Sequence, residues 1–304
     1  MKKKVLIGID WGGTFLKLGV FSPEVRLLKK ERFSSERFKE SRYFLDCIVD
    51  YAKNVSRHYT VEAIGIGCPG IVNPQKGLVY YLPNISGWKN YNLKQNLYYR
   101  LRIPLFIEND AKVAALAEYQ CRNLSPDKNV IYLTLGTGVG GAVFVGGRLL
   151  QSQCSTAELG HVPLQLNGKV CNCGGRGCVE TFLGNTYIVA EYKRLRKSSA
   201  AVTPEDIYEA ACRKDSAALR VWKTVGTTLG IYLAGLVNIF NPELIILGGG
   251  VSGAWDFFYP SLISSLYKQA MWPYLKGIRV EKVHFKEDAG IYGAAELAKS
   301  FLKK

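Results

Sequence analysis

His161, Cys171, Cys173 and Cys178 gather one imidazole and three thiols into a short stretch, in which Gly174, Gly175 and Gly177 let the chain wrap tightly. These are ligand types that zinc prefers, four in a tetrahedron. Four protein ligands leave no open position, so the expected role is structural. Buried cysteines beside an unconnected histidine are the plainer alternative. Glu158 and Glu180 flank the cluster. A clip that fixes both carboxylates near one point would suit several hydroxyls, because carboxylates accept hydrogen bonds in fixed directions. Read singly, either glutamate is an ordinary solvated side chain. A third acidic position lies in Leu105-Phe106-Ile107-Glu108-Asn109-Asp110-Ala111, between a strand end and a helix start. An N-cap is one reading of Asn109 and Asp110. The other is catalytic: a carboxylate at the carboxyl end of a strand in an α/β lobe often faces the ligand crevice, where it could take a hydroxyl proton as the oxygen attacks phosphorus.

Phosphate needs its own cradle. Three segments match G-x-G-x-x-G, at Gly65/Gly67/Gly70, Gly136/Gly138/Gly141 and Gly248/Gly250/Gly253. The first carries Pro69 and the second runs into a strand. The third has a strand-to-helix context but lacks an acid about 20 residues on, which argues against a dinucleotide fold. No G-x-x-x-x-G-K-[ST] is present. Glycine-rich hairpin turns can serve instead: without a Cβ, backbone N–H groups approach phosphate oxygens, and Thr14 and Thr137 add hydroxyls. A tight hairpin is the alternative for each turn alone.

The elements around these residues follow a plan that occurs twice. Val5 to Asp10 reads as a buried strand, Gly12-Gly13 as a turn and Phe15 to Phe21 as the returning strand. Val25 to Phe33 suits a third strand, Phe38 to Val55 an amphipathic helix, Ala63 to Gly67 and Pro104 to Ile107 further strands, and Ala111 to Tyr119 a helix. The plan restarts with strand Val130 to Leu135, a Gly/Thr turn and Ala142 to Val145. Helical patterns near 180–197, 204–213 and 216–238, a strand Glu243 to Leu247 ending in Gly248-Gly249-Gly250, and a helix over 288–302 complete it. Two related lobes are expected, with the ligand site in the cleft between them.

Composition agrees with a folded enzyme. At 304 residues, 48% hydrophobic and 21% charged, disordered and fibrous classes are excluded. The apolar stretch Ile231 to Phe240 is far short of the ~20 residues of a membrane span, and Met1-Lys2-Lys3-Lys4 precedes too short an apolar run for a signal peptide. A cytoplasmic location is expected. Lys and Arg exceed Asp and Glu by 40 − 25 = +15, a balance that favours anionic partners such as nucleotides or polyphosphate. No aromatic-plus-basic stripe points to nucleic acid. Eight cysteines are too few for a disulfide scaffold.

Together these motifs resemble the ROK family of sugar kinases. They are Asp10-Trp11-Gly12-Gly13-Thr14, Gly65-Ile66-Gly67-Cys68-Pro69-Gly70, Glu108-Asn109-Asp110-Ala111, Gly136-Thr137-Gly138-Val139-Gly140-Gly141, Glu158-Leu159-Gly160-His161 and Cys171-Asn172-Cys173-Gly174-Gly175-Arg176-Gly177-Cys178-Val179-Glu180. The resemblance implies an α/β, two-lobed hexokinase/actin-like fold, ribonuclease H-like and duplicated, with a central cleft. Its lobes would be 1–117 with 291–304, and 118–290 carrying the zinc loop. It implies ATP-dependent phosphorylation of a hexose, glucose first, with fructose, mannose, allose or an N-acetylated hexosamine, or a non-catalytic sugar sensor, as alternatives. Asp110 would be the general base. Asn109, Glu158, His161 and Glu180 would hold the sugar, and Asn84 either touches it or forms a turn. His161 would also bind zinc with Cys171, Cys173 and Cys178. Gly12, Gly13, Thr14, Thr137 and Gly138 would face the phosphates, Gly249 and Gly250 would lie near adenosine, and Asp10 would sit by magnesium through water.

Trp11 and Phe15 depart from the family's pattern, which has a small aliphatic and a polar or basic residue there, so nucleotide-side contacts are expected to differ. The family's repressors carry a DNA-binding segment before the first glycine hairpin. With the first strand starting at residue 4 or 5, none is expected here, nor a membrane partner. A homodimer or higher homo-oligomer is expected.

Overall fold

A computed structural model describes residues 1–38, 40–82, 88–285 and 287–302, with the side chain of Phe301 outside that set. Two compact units emerge: Met1–Leu124 with Leu149–Thr156 and His284–Lys304, and Ser125–Arg148 with Ala157–Val283.

The first unit begins with β1 (Lys3–Trp11), β2 (Phe15–Phe21) and β3 (Leu27–Ser34), followed by α1 (Ser41–His58) and β4 (Tyr59–Cys68). The short strands β5 (Ile71–Asn73), β6 (Leu78–Tyr81) and β7 (Tyr91–Asn92) form a separate small sheet, and α2 (Leu93–Leu101), β8 (Leu105–Asn109) and α3 (Asp110–Cys121) follow. The main sheet has the order β3-β2-β1-β4-β8. β1 and β2 are antiparallel, whereas β1–β4 and β4–β8 are parallel. The near-continuous apolar run of β1 suits a strand buried on both faces. Against one face α1 lays Phe44, Leu45, Ile48 and Val49. Trp11 is fully buried there, stacked on Phe44 at 4.1 Å and edge-on to Trp88 at 4.7 Å. Trp11 therefore serves the packing of the first unit's core. Phe15 is exposed, with the Arg32 guanidinium 4.2 Å from its ring centre.

The second unit repeats the plan. It holds β9 (Val130–Leu135), β10 (Val139–Val145), β11 (Arg148–Leu149), α4 (Glu180–Leu183), α5 (Asn185–Arg196), α6 (Pro204–Cys212), α7 (Ser216–Phe240), β12 (Leu244–Gly248), α8 (Trp255–Gln269) and β13 (Arg279–Lys282). The sheet order is β11-β10-β9-β12-β13, with β9–β10 antiparallel and β9–β12 and β12–β13 parallel. The core gathers Ile131, Leu133, Ile245 and Leu247 from the strands and Val225, Leu229, Leu233 and Val237 from α7.

The chain returns to the first unit at His284. Buried Glu118 on α3 fixes that return, accepting the His284 N–H at 2.9 Å and the Phe285 N–H at 2.8 Å. The last helix, α9 (Ala289–Leu302), then lies on β1 and β4. Its approach is so close that a Cβ on Gly65 would fall 1.8 Å from the Ala294 carbonyl oxygen.

Two boundaries differ from the sequence reading. Val25 has φ +63° and its N–H bonds back to the Ser22 carbonyl, so it belongs to a turn and β3 starts at Leu27. The helix expected over 180–197 is broken at Gly184, whose extended backbone (ψ 158°) separates α4 from α5.

Candidate active site

In the first unit, Asp10 lies near the end of β1, opposite Lys17 on β2. Burial pushes its carboxyl up to about 6, Lys17 opposing and Asp288 adding to the rise. The start of α9 comes close, since a Cβ on Gly290 would lie 2.2 Å from the Asp10 carboxyl carbon. Gly12, Gly13 and Thr14 form the turn that follows. The Gly12 N–H donates to the Phe15 carbonyl at 3.0 Å, and Ser35 braces the turn by donating its Oγ–H to the Gly12 carbonyl at 2.7 Å. Gly13 and Thr14 remain exposed.

The strand-to-helix junction β8–α3 carries Asn109 and Asp110. Asn109 is the N-cap: its Oδ1 accepts from the N–H groups of Ala111 (3.0 Å) and Lys112 (3.3 Å), and its Nδ2 donates to the Gly70 carbonyl at 3.0 Å. Asp110 opens the helix with its Oδ1 accepting the Ala111 N–H at 2.8 Å.

Two neighbours had been given no role from sequence. Glu108, 1% exposed, accepts the Asn109 N–H at 2.9 Å on one oxygen and Gln151 Nε2 at 2.6 Å on the other. Lys112, equally buried, donates from Nζ to Ser155 Oγ at 2.9 Å. Both tie the segment Leu149–Thr156 to the junction. A charged residue inside an apolar strand was the available signal at Glu108, but Gln151 is too distant in sequence to be paired with it by inspection.

In the second unit the predicted metal ligands come together. The donor atoms of His161, Cys171, Cys173 and Cys178 all lie within 4.8 Å of one another. His161 Nδ1 is 3.6 Å from Cys171 Sγ, and the Cys173 and Cys178 sulfurs are 3.7 Å apart. A tetrahedral ion with Zn–S bonds of about 2.3 Å and Zn–N bonds of about 2.0–2.1 Å requires S···S near about 3.8 Å and S···N near about 3.6 Å. The donor set thus fits zinc in type, number and spacing. Burial pushes the Cys178 thiol up to about 12 and also raises Cys171, while the Gly175 N–H holds Cys173 down. A cation must replace those protons for the buried sulfurs to be thiolates at neutral pH.

Glu180 links this cluster to the second glycine turn. Cys171 Sγ donates to its Oε1 at 3.8 Å, and its Oε2 accepts the Val139 N–H at 3.0 Å. Gly138 makes that contact possible, because a Cβ there would fall 2.3 Å from Oε2. The turn itself is closed by the Gly136 N–H on the Gly138 carbonyl at 2.9 Å, leaving Thr137 exposed. A cavity of about 190 Å³ opens beside it, lined by Thr137, Lys169, Cys171, Asn172, Glu180 and Tyr187 among others. Glu158 is exposed, and its carbonyl accepts the His161 N–H at 3.0 Å. Gly249 (φ +82°) and Gly250 follow β12, both exposed, with Gly249 against the Leu135 backbone. Asn84 lies outside the described residues.

Residues 6–301 match the ROK family. The chain belongs to the ROK family. It is 34% identical over 316 aligned residues to the glucokinase of Thermotoga maritima, covering 98% of each chain. The structure of the ROK hexokinase from Thermus thermophilus superposes with a TM-score of 0.84 at 29% identity, over 98% of this chain and 99% of that one. The ROK glucokinase of Streptomyces griseus, solved with glucose and AMPPNP, gives 0.79 at 30% identity, over 97% and 99%.

As a ROK protein the chain has the hexokinase/actin-like fold, whose duplication is visible in its two sheets of like order. No helix among the described residues is long and apolar enough to cross a membrane.

Proposed function

We propose that this protein transfers the terminal phosphoryl group of ATP to a hexose hydroxyl, with O6 of glucose the leading acceptor and Asp110 the general base. The observation that carries the reading is the position of Glu180, whose Oε2 accepts the Val139 N–H of the second glycine turn at 3.0 Å while its Oε1 lies 3.8 Å from Cys171 Sγ of the His/Cys cluster. One residue thereby couples the place proposed for sugar hydroxyls to the place proposed for phosphate. A zinc ion at His161, Cys171, Cys173 and Cys178 supplies a rigid clip with no open position for chemistry.

Glu158, His161 and Glu180 take the sugar's hydroxyls, with Asn109 adding a contact beyond its capping bonds. Asp110 accepts the proton of the attacking hydroxyl; a new P–O bond forms to the sugar as the bond to ADP breaks, and ADP leaves. The turns at Gly12-Gly13-Thr14 and Thr137-Gly138 offer N–H and hydroxyl donors to the phosphates, and Gly249 and Gly250 flank adenosine. Asp10 would hold the nucleotide's magnesium through water, a cation that neutralises charge on the transferring group.

ADP release measured with ATP and a panel of glucose, mannose, fructose, allose and N-acetylated hexosamines tests this. Glucose should give the highest kcat/KM, by at least about tenfold. A preferred N-acetylhexosamine would move the acceptor, and no ADP release with any hexose would contradict the reaction and favour a sugar sensor.

A further inference from the structure

The turn that carries Glu158 and His161 is held against strain. Leu159–His161 form a single 3₁₀ turn, entered through Ala157, whose φ of +53° lies in the left-handed region. A residue with a Cβ keeps that conformation only where its surroundings impose it, and such strain collects at functional sites. The turn's own backbone bonds are local: the Leu159 N–H donates to the Ala157 carbonyl at 2.8 Å and the His161 N–H to the Glu158 carbonyl at 3.0 Å. They travel with the turn and do not fix where it sits.

Contacts with β10 seat it from one side. A Cβ on Gly160 would fall 2.0 Å from the Val139 carbonyl oxygen, and one on Gly141 would fall 2.6 Å from Leu159 Cδ1, so backbone and side chain lie flush on the strand. Val139 also donates its N–H to Glu180 Oε2 at 3.0 Å, so one residue borders both elements that carry the proposed sugar carboxylates. Van der Waals contacts tolerate small shifts, whereas a hydrogen bond is directional. The directional bond comes from α7. Tyr232, 4% exposed among Leu229, Leu233 and Leu236, donates its hydroxyl to the Leu159 carbonyl at 2.6 Å. Leu159 is equally buried, so water does not compete for that carbonyl, and losing the donor leaves it unsatisfied in an apolar core. Burial pushes the Tyr232 phenol above its ordinary value, which keeps the donated proton in place through the neutral range. A phenylalanine would pack equally well there; the hydroxyl adds this bond.

We infer that Tyr232 is a positioning residue for the acceptor sugar: through the Leu159 carbonyl it sets the turn from which Glu158 and His161 meet the hydroxyls. The inference rests on the sugar site proposed above. Tyr232→Phe keeps the ring and removes the bond. Titration calorimetry should show the glucose Kd raised at least ~5-fold, with the ATP Kd within about twofold of the parent. A hydroxyl that serves only the fold would lower the melting temperature and leave the glucose Kd alone, or weaken both ligands alike, and either result overturns the inference. Adding Ala157→Gly, which relieves the strain that the bond opposes, should bring the glucose Kd back to within about twofold of the parent. A double variant no better than Tyr232→Phe overturns it as well. A parent chain that binds no hexose contradicts the sugar site itself and takes the inference with it; a parent that binds glucose beside an unaffected Tyr232→Phe overturns the role of Tyr232 alone.

Discussion

Asp10 is held in a place that favours its proton. Burial lifts its carboxyl from the usual 3.8 to about 6, with Lys17 only partly opposing. The folded chain therefore binds this proton more tightly than the unfolded chain. The resulting stabilisation is complete below about pH 3.8 and is lost as pH rises through about 6, so at pH 7 the charged group weighs against folding. At about 1.4 kcal/mol per tenfold change in proton affinity the penalty is at most about 3 kcal/mol, and the side chain's partial exposure reduces it. Asp10→Asn should raise the stability of the nucleotide-free protein at pH 7 by ~1–2 kcal/mol in urea unfolding and flatten its fall between pH 5 and 7. An unchanged pH slope would show that Asp10 titrates normally. The same single-residue scale explains what reading could miss. Glu108 sits inside a quoted motif, but its task is visible only once Gln151 is brought to its second oxygen.

The loop from His161 to Glu180 has little secondary structure. Isolated bridges pair Pro163 with Cys178 and Val170 with Arg176, and backbone bonds such as Leu164 N–H to the Gly177 carbonyl (2.7 Å) and Cys171 N–H to the Gly175 carbonyl (2.8 Å) cross it; a bound metal would add a cross-link to this turn-based framework. Zinc content should be one ion per chain. Chelation should lower the melting temperature on the order of 10 °C and abolish phosphorylation, both restored by zinc. Cys173→Ser should behave like the chelated protein. A chelated protein with unaltered melting and turnover would show that the loop holds itself.

At this scale the sequence was readable where periodicity and turn chemistry agreed. Phe15–Phe21 and Val130–Leu135 lie where alternation and glycine turns place them. The elements without such signals were unassigned. α8 starts from a glycine-rich turn and contains Pro260, which disguises a helix. β13 is a short edge strand with no fully buried residue. The three-stranded sheet β5-β6-β7 is too short for its alternation to register.

Over the whole molecule, duplication was the most legible property, because a strand, a Gly/Thr turn and a strand recur and the two sheets share one order. The division at 117/118 and 290/291 read from sequence compares with 124/125 and 283/284 in the structure, which also assigns Leu149–Thr156 to the first unit. No local pattern announces that excursion; it depends on Gln151 and Ser155 reaching Glu108 and Lys112. The net charge of +15 suits an anionic co-substrate without selecting one.

The proposed phosphoryl transfer assigns Asp110 of the first unit as base and Glu158, His161 and Glu180 of the second as sugar ligands. Its most direct test is single-turnover transfer from ATP to glucose by Asp110→Asn, alongside the glucose Kd of the same variant. Transfer should fall at least ~10³-fold while Kd stays within about threefold, because the amide keeps the shape and loses only the proton acceptor. Transfer near the parent rate would contradict Asp110 as the base.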